Sequence, residues 1–289
     1  GNHAFYECSS LALITIPSFV KSIGDYAFYE CSSLTNVTFE KPSSLTSLGN
    51  YIFYNCTSFT KITIPSSVTS IGDFAFCGCS SVTQISFETP SSVTFIGNHS
   101  FKECSSFTQL SIPSSVLSIG NYCFDKCSSL THLSFEMPVL LQSIGYCNFN
   151  ECSSLTPITF PSSITKIDDC TLDGFRNQEQ INIPSSINSI GGYAFFGFKL
   201  LKKVTIPSSC TSIESDAFFG CSSLTQITFE NPSSLTSIGD YAFHGCTSLE
   251  QISIPSSVTS LGNHSFEKCT SLAQITFESP SSITSIGNC

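Results

Sequence analysis

The sequence predicts an α/β repeat solenoid, and three observations carry that prediction. Prolines recur at two alternating steps. Every interval repeats one order of apolar residues. That order mixes the two-residue period of a strand with the three-residue steps of a turn. The anchors are Pro17, Pro42, Pro65, Pro90, Pro113, Pro138, Pro161, Pro184, Pro207, Pro232, Pro255 and Pro280, spaced by 23 or 25 residues. The longer step holds a two-residue insertion, such as Glu40-Lys41 or Glu88-Thr89, before the next proline.

Counted from each proline, the elements follow in a fixed order. P-S-S is turn chemistry. Aliphatics at +3 and +6 (Leu45, Leu48) mark an extended arm, and Gly at +7 (Gly49, Gly72) suits a tight bend. The A-F-x-x-C-x-x-L run puts +10, +11, +14 and +17 on one side of one or two short helical turns. Aliphatics at +20 and Ile or Phe at +22, with Thr or Ser between, read as a strand (Ile62-Thr63-Ile64). One unit cannot bury its own apolar face, whereas stacked units can. About twelve units stack as one parallel β-sheet, with Phe and Cys in internal columns. Strands pack more closely than helical turns, which puts the sheet on the concave face. The chain starts at phase +7 and stops at +9, so the pattern predicts one continuous domain over residues 1–289, cut from a longer array without its capping repeats.

Eleven basic residues against twenty-one acidic ones give a net charge of −10. Nucleic-acid binding rests on Lys and Arg clusters and is excluded as a function class. No apolar run is long enough to span a membrane, so no direct membrane insertion is expected.

Sixteen cysteines suggest disulfides or metal until their phases are counted. Ten fall at +14: Cys8, Cys31, Cys56, Cys79, Cys104, Cys127, Cys152, Cys221, Cys246 and Cys269. Phe175 and Phe198 take that phase in two other units, so it is an apolar core slot. In-register thiols would strain a disulfide dihedral, and a reduced ladder without disulfides is expected. The remaining cysteines are Cys77, Cys123, Cys147, Cys170, Cys210 and Cys289; with no C-x-x-C, no metal site is expected. The serines belong to P-S-S and C-S-S turns in nearly every unit, and no nucleophile elbow, Walker loop or H-E-x-x-H occurs. His3, His99 and His264 recur in G-N-H at one phase. The sequence therefore predicts no catalytic residue, no enzyme activity and no cofactor. Among four N-x-S/T sequons (Asn36, Asn55, Asn98, Asn263), Asn98 and Asn263 at the turn phase are the acceptors if the protein is secreted.

The pattern loosens over residues 161–206, where Leu172, Asp168 and Gln178 replace Phe, Gly and an aliphatic and five basic residues cluster. Outward strand positions form two polar columns, one of Thr and Ser (Thr205, Thr228), the other rich in Gln (Gln180, Lys203, Gln226). An extended protein or glycan suits such a face. The candidate ligand-binding residues are Gln180, Lys202, Lys203, Thr205, Gln226 and Thr228, where the columns lose uniformity. Drift of an older repeat pair explains the same window without a ligand.

The unit I-P-S-S-V-T-S-I-G-x-x-A-F-x-x-C-S-S-L-T-x-I-T-I resembles the Treponema-type leucine-rich repeat of the BspA-like surface proteins, found in bacteria and expanded in trichomonad parasites. The match runs over essentially all 289 residues, because Pro, Gly, Ala-Phe and Cys fall in phase. It departs from commoner leucine-rich repeats in carrying P-S-S where those place Asn. The resemblance implies a leucine-rich-repeat horseshoe of about twelve 23/25-residue units and a non-catalytic adhesin at the cell surface or secreted. It implies a host or matrix protein, or a glycan, as ligand on the concave face. The alternative is an intracellular scaffold assembled by lateral packing of the repeats. The sequence assigns no oligomeric state.

Overall fold

A computed structural model describes residues 1–156 and 159–288; Pro157, which falls in the Gln-rich outward column, Ile158, and Cys289, one of the cysteines above, lie outside the described residues. Two compact units divide the chain, Gly1–Ile158 and Thr159–Cys289. Each is a stack of coils whose strands pair in parallel.

Two strands per coil, rather than the one expected, recur in both units. The long strand has four residues. In the first unit Leu13–Ile16, Asn36–Phe39, Lys61–Ile64 and Gln84–Phe87 form one sheet, and Gln109–Ile112 pairs with His132–Phe135. Register matches phase, with Ile62 opposite Ile85 and Thr63 opposite Ser86. In the second unit Lys203–Ile206 pairs with Gln226–Phe229 and Gln251–Ile254 with Gln274–Phe277. The short strand has two residues, as in Ser47–Leu48 or Ser237–Ile238. Five short strands form a sheet in the first unit and six in the second. Most inward residues of both strands are buried, such as Ile62, Ile64 and Leu48; Phe at +22 (Phe39, Phe87, Phe229) is half-buried and the last coil's strands are exposed, whereas Lys61, Thr63, Gln226 and Thr228 face out.

The expected helical turns are not formed; Asp173–Phe175, a 3₁₀ turn, is the one helical segment among the described residues. The physical reason lies in where the backbone donors go. In a helix they would bond four residues back. Here Tyr26, Phe28 and Glu30 donate to Asn50, Ile52 and Tyr54 of the next coil at 2.9, 2.9 and 2.8 Å. Between these, Tyr29 bonds Tyr26 and Cys31 bonds Phe28, three residues back. Left-handed residues at +9 and +13, such as Tyr26 (φ 57°) and Glu30 (φ 53°), swing alternate N–H groups toward the neighbour. The arc is a ladder of turns, saturated by the coil beside it.

Side chains latch the coils. At +8, Asn and Asp form a column in which Asp25 Oδ1 accepts the Asn50 N–H at 2.7 Å and Asn50 Oδ1 accepts that of Asp73 at 2.8 Å. Asn98 and Asn263 belong to this column: Asn98 Oδ1 accepts the Asn121 N–H and Asn263 Oδ1 that of Asn288. Both sequon side chains thus take part in the coil-to-coil bonding through Oδ1. Thr at +4 and +18 donates to a carbonyl of the preceding coil, as Thr69 does to Thr46 and Thr83 to Thr60. The P-S-S serines do likewise, with Ser67 Oγ donating to Leu45 at 2.6 Å. The insertion also has a cause. Where one coil has Pro65, which lacks an N–H, its neighbour has Glu88, whose N–H bonds Ile64 and whose carboxylate accepts the Ser66 N–H at 3.0 Å.

Gly at +7 serves a close approach rather than a bend. A Cβ on Gly72 would sit 2.7 Å from the Asn50 nitrogen, and one on Gly120 2.6 Å from that of Asn98.

The core is a column of phenylalanines flanked by thiols. Phe28, Phe53, Phe76, Phe101 and Phe124 stack at 5.3–5.6 Å, and Phe195, Phe218 and Phe243 at 4.6 and 5.2 Å. Nine of the +14 cysteines are buried; Cys8, in the first coil, is exposed. Each buried thiol donates to the Phe carbonyl of the preceding coil, as Cys56 does to Phe28 at 3.1 Å and Cys127 to Phe101 at 3.0 Å. That carbonyl also accepts the N–H of its own coil's cysteine. A small side chain with one weak donor fits the slot. The described cysteines are free thiols. Burial pushes Cys31 up to about 11 and Cys152 to about 12, which keeps both protonated at neutral pH. The +14 thiols other than Cys8 are expected to resist iodoacetamide in the native protein and to react on denaturation. Alkylation mass shifts check this; bonded neighbours such as Cys104 and Cys127 would contradict it.

Candidate binding face

The outward side of the long strands holds most of the candidate residues. Gln180, Lys202, Lys203, Thr205, Gln226 and Thr228 are all exposed. Thr205 and Thr228 stand opposite one another across the Lys203–Ile206 and Gln226–Phe229 pair, as do Lys203 and Gln226. Gln180 joins them by a single bridge to Lys203, because its coil forms no longer strand. Lys202 does not lie on the strand as phase suggests. It precedes the strand by one residue, and its Nζ pairs with Glu179 at 2.9 Å.

The charge-rich window largely neutralises itself. Lys166 pairs with Asp168 at 2.9 Å, and Arg176 pairs with Asp173 at the same distance while lying 5.8 Å over the Phe196 ring. Burial raises the Asp173 carboxyl above its ordinary range, with Arg176 opposing the shift. Asp169 accepts the Gly192 N–H. Lys203 has no ion-pair partner among the described residues, so its charge is free to meet a ligand.

Each unit carries a shallow groove on this face. In the first unit a 450 Å³ groove is lined by Asn36, Thr38, Lys61, Gln84 and Ser86, with Lys41 and Glu88 paired across its rim at 2.8 Å. Its hydroxyls satisfy one another, Thr63 and Ser86 at 3.0 Å and, further along, Thr15 and Thr38 at 2.8 Å. In the second unit a 570 Å³ groove contains Lys203 and Gln226 of the candidate set, and adds Gln251, Ser253, Gln274 and Thr276. Sequence phase places those four in the same columns, but their regularity hid them. Uniform residues draw no attention in a repeat.

The hydroxyls thus sort into two kinds. Those at +4, +18 and in P-S-S bond carbonyls of the neighbouring coil; those at +21 lie on the outward side, pairing across coils at Thr15–Thr38 and Thr63–Ser86 but making no side-chain bond among the described residues at Thr228, Ser253 and Thr276. Among the described residues no helix is long and apolar enough to cross a membrane.

The BspA type leucine rich repeat region, as a family description, matches residues 1–131, 86–200, 131–231 and 192–289, and so spans the chain. A leucine-rich repeat protein from Bacteroides ovatus is similar in structure, at 28% identity and a TM-score of 0.65, over 99% of this chain and 77% of that one. A leucine rich cell surface protein from Faecalibacterium prausnitzii has the same fold at 24% identity and a TM-score of 0.51, over 98% and 92%. The pneumococcal vaccine antigen PcpA does so at 20% identity and 0.53, over 93% and 69%. No curated protein matches the chain. With its proline, glycine, phenylalanine and cysteine columns all in phase and the match running end to end, the chain belongs to the BspA-type leucine-rich repeat family.

Proposed function

We propose that the protein is a non-catalytic binding module of the adhesin kind, at the cell surface or secreted, that engages its ligand through the outward side of the long strands. One observation carries the proposal: the second unit's long-strand groove keeps amides, hydroxyls and an unpaired lysine that the fold does not use. Elsewhere the same residue types latch one coil to the next. The surface location is supported by the description of the Faecalibacterium protein as a cell surface protein and of PcpA as a vaccine antigen.

Substituting Lys202→Thr and Lys203→Gln together tests the face. These residues stand at the corresponding places in the next coil, Thr225 and Gln226. The melting temperature should hold, since exposed substitutions act within about 0.5 kcal/mol. Capture of the protein by host cells or immobilised matrix is expected to fall. Unchanged capture would remove this face from the binding role.

A further inference from the structure

We propose that the groove on the long strands of the second unit takes an acidic glycan, a linear polysaccharide with carboxylate-bearing sugars, seated across Lys203, Gln226, Gln251 and Gln274. The inference rests on the binding role proposed above and names the ligand class of the same face.

The groove lacks the anchors that a protein partner would use. Protein–protein contacts draw their affinity from buried aromatic and arginine anchors, and Lys and Ser are depleted in them. The groove is lined by Lys203, Thr225, Gln226, Ile227, Gln251, Ile252, Ser253, Gln274 and Thr276, without an aromatic ring or an arginine. Ile227 and Ile252 are themselves buried core residues, 8% and 3% exposed, and offer a protein partner no apolar knob or pocket.

The groove's charge favours an anion. In a chain of net charge −10, no carboxylate lines this groove, and its one charged group is the unpaired lysine. The first unit's groove, built on the same columns, carries Glu88 and holds Lys41 against it. The first groove also presents an exposed lysine without an ion-pair partner, Lys61, but beside the Glu88 carboxylate; the second groove is the one of the two whose lysine meets an anion with no carboxylate in the lining.

The polar side chains along this face are also left unused by the fold. The side chains of Gln226, Gln251, Gln274, Thr228, Ser253 and Thr276 make no hydrogen bond within the described residues. Strand pairing repeats them in register, Gln251 opposite Gln274 and Ser253 opposite Thr276, about 4.8 Å apart. Each amide offers a donor and an acceptor, and each hydroxyl both. Hydroxyl-rich sugars along the stack match that array, and a carboxylate at one end matches the Lys203 ammonium.

Calorimetric titration of the intact chain with hyaluronate oligosaccharides, with the same oligosaccharides after carboxyl reduction, and with polyglutamate tests the assignment. Hyaluronate should bind more tightly than its reduced form, by a margin that shrinks with added salt, and polyglutamate should not bind. Lys203→Gln should weaken hyaluronate by about tenfold, the loss of one charge-assisted contact, and bring it level with the reduced glycan. Gln251→Ala should weaken both glycans. Absence of binding to both glycans, equal binding of polyglutamate, or indifference to both substitutions would overturn the proposal. Cell capture that is lost on protease treatment of the cells, yet survives glycosidase treatment and still depends on Lys203, would also overturn it. That last result would leave the binding role of the face standing.

Discussion

Raising the pH above about 9 is expected to unfold Gly1–Ile158 within roughly one pH unit, because buried thiols cannot ionise inside the stack. Burial raises Cys31 to about 11, Cys77 and Cys152 to about 12, and Cys56, Cys79, Cys104, Cys123 and Cys127 further still. In the unfolded chain a thiol ionises near 8.5. Between those values the unfolded state binds fewer protons than the native one, so stability falls as pH rises. It is complete below the unfolded value and lost on the way to the folded one. Each thiol subtracts about 1.4 kcal/mol per pH unit. Eight together remove on the order of 10 kcal/mol per unit, against a whole-domain stability of roughly 5–15 kcal/mol. Far-ultraviolet circular dichroism in reductant measures the midpoint, which should revert at neutral pH. A native spectrum persisting above pH 11 would contradict the buried, protonated column.

Truncating the phenylalanine column has the second large effect. Phe101 is fully buried, with rings of Phe76 and Phe124 stacked 5.6 Å on either side. Phe101→Ala is expected to cost about 3–5 kcal/mol, from lost burial and the cavity left between two coils that cannot collapse. At about 2–4 °C per kcal/mol this lowers the melting temperature by roughly 10 °C. Phe5→Ala, in the same column but 38% exposed, should cost well under half as much. Equal shifts in calorimetry would show that column depth does not set the energy.

The apolar scaffold was legible because burial selects residue type at each phase. Ile62, Phe76 and Cys79 are buried where their positions predicted, and the two-residue alternation at Lys61–Ile64 is a strand. The turn arc was misread for a physical reason. A-F-x-x-C-x-x-L spaces its apolar residues by three, which fits a helical turn and equally a series of tight turns bonded to the next coil. The left-handed residues that decide between them are Tyr, His or Glu in most coils, which conceals the conformation. Gly78, Gly197, Gly220 and Gly245, all at +13 with φ near 71–75°, carried the available signal. The short strand was missed because two residues give no period. Lys202 lies one residue before the strand, because phase locates a residue only to within a position of the strand's edge. Part of the binding face was hidden for the opposite reason: Gln251 and Gln274 conform to the repeat, and only the bonds absent from the folded chain separate them from latching residues.

Placing one negative charge on either unit's outward column tests the central claim most directly. Thr228→Glu puts a carboxylate beside the second groove, and Ser111→Glu puts one at the matching phase of the first unit. Both positions are exposed, so both variants should melt with the parent protein. In a cell- or matrix-capture assay run on all three proteins, Thr228→Glu is predicted to lose capture and Ser111→Glu to keep it. Full capture by Thr228→Glu, or equal loss in both variants, would contradict a ligand face on the long strands of the second unit.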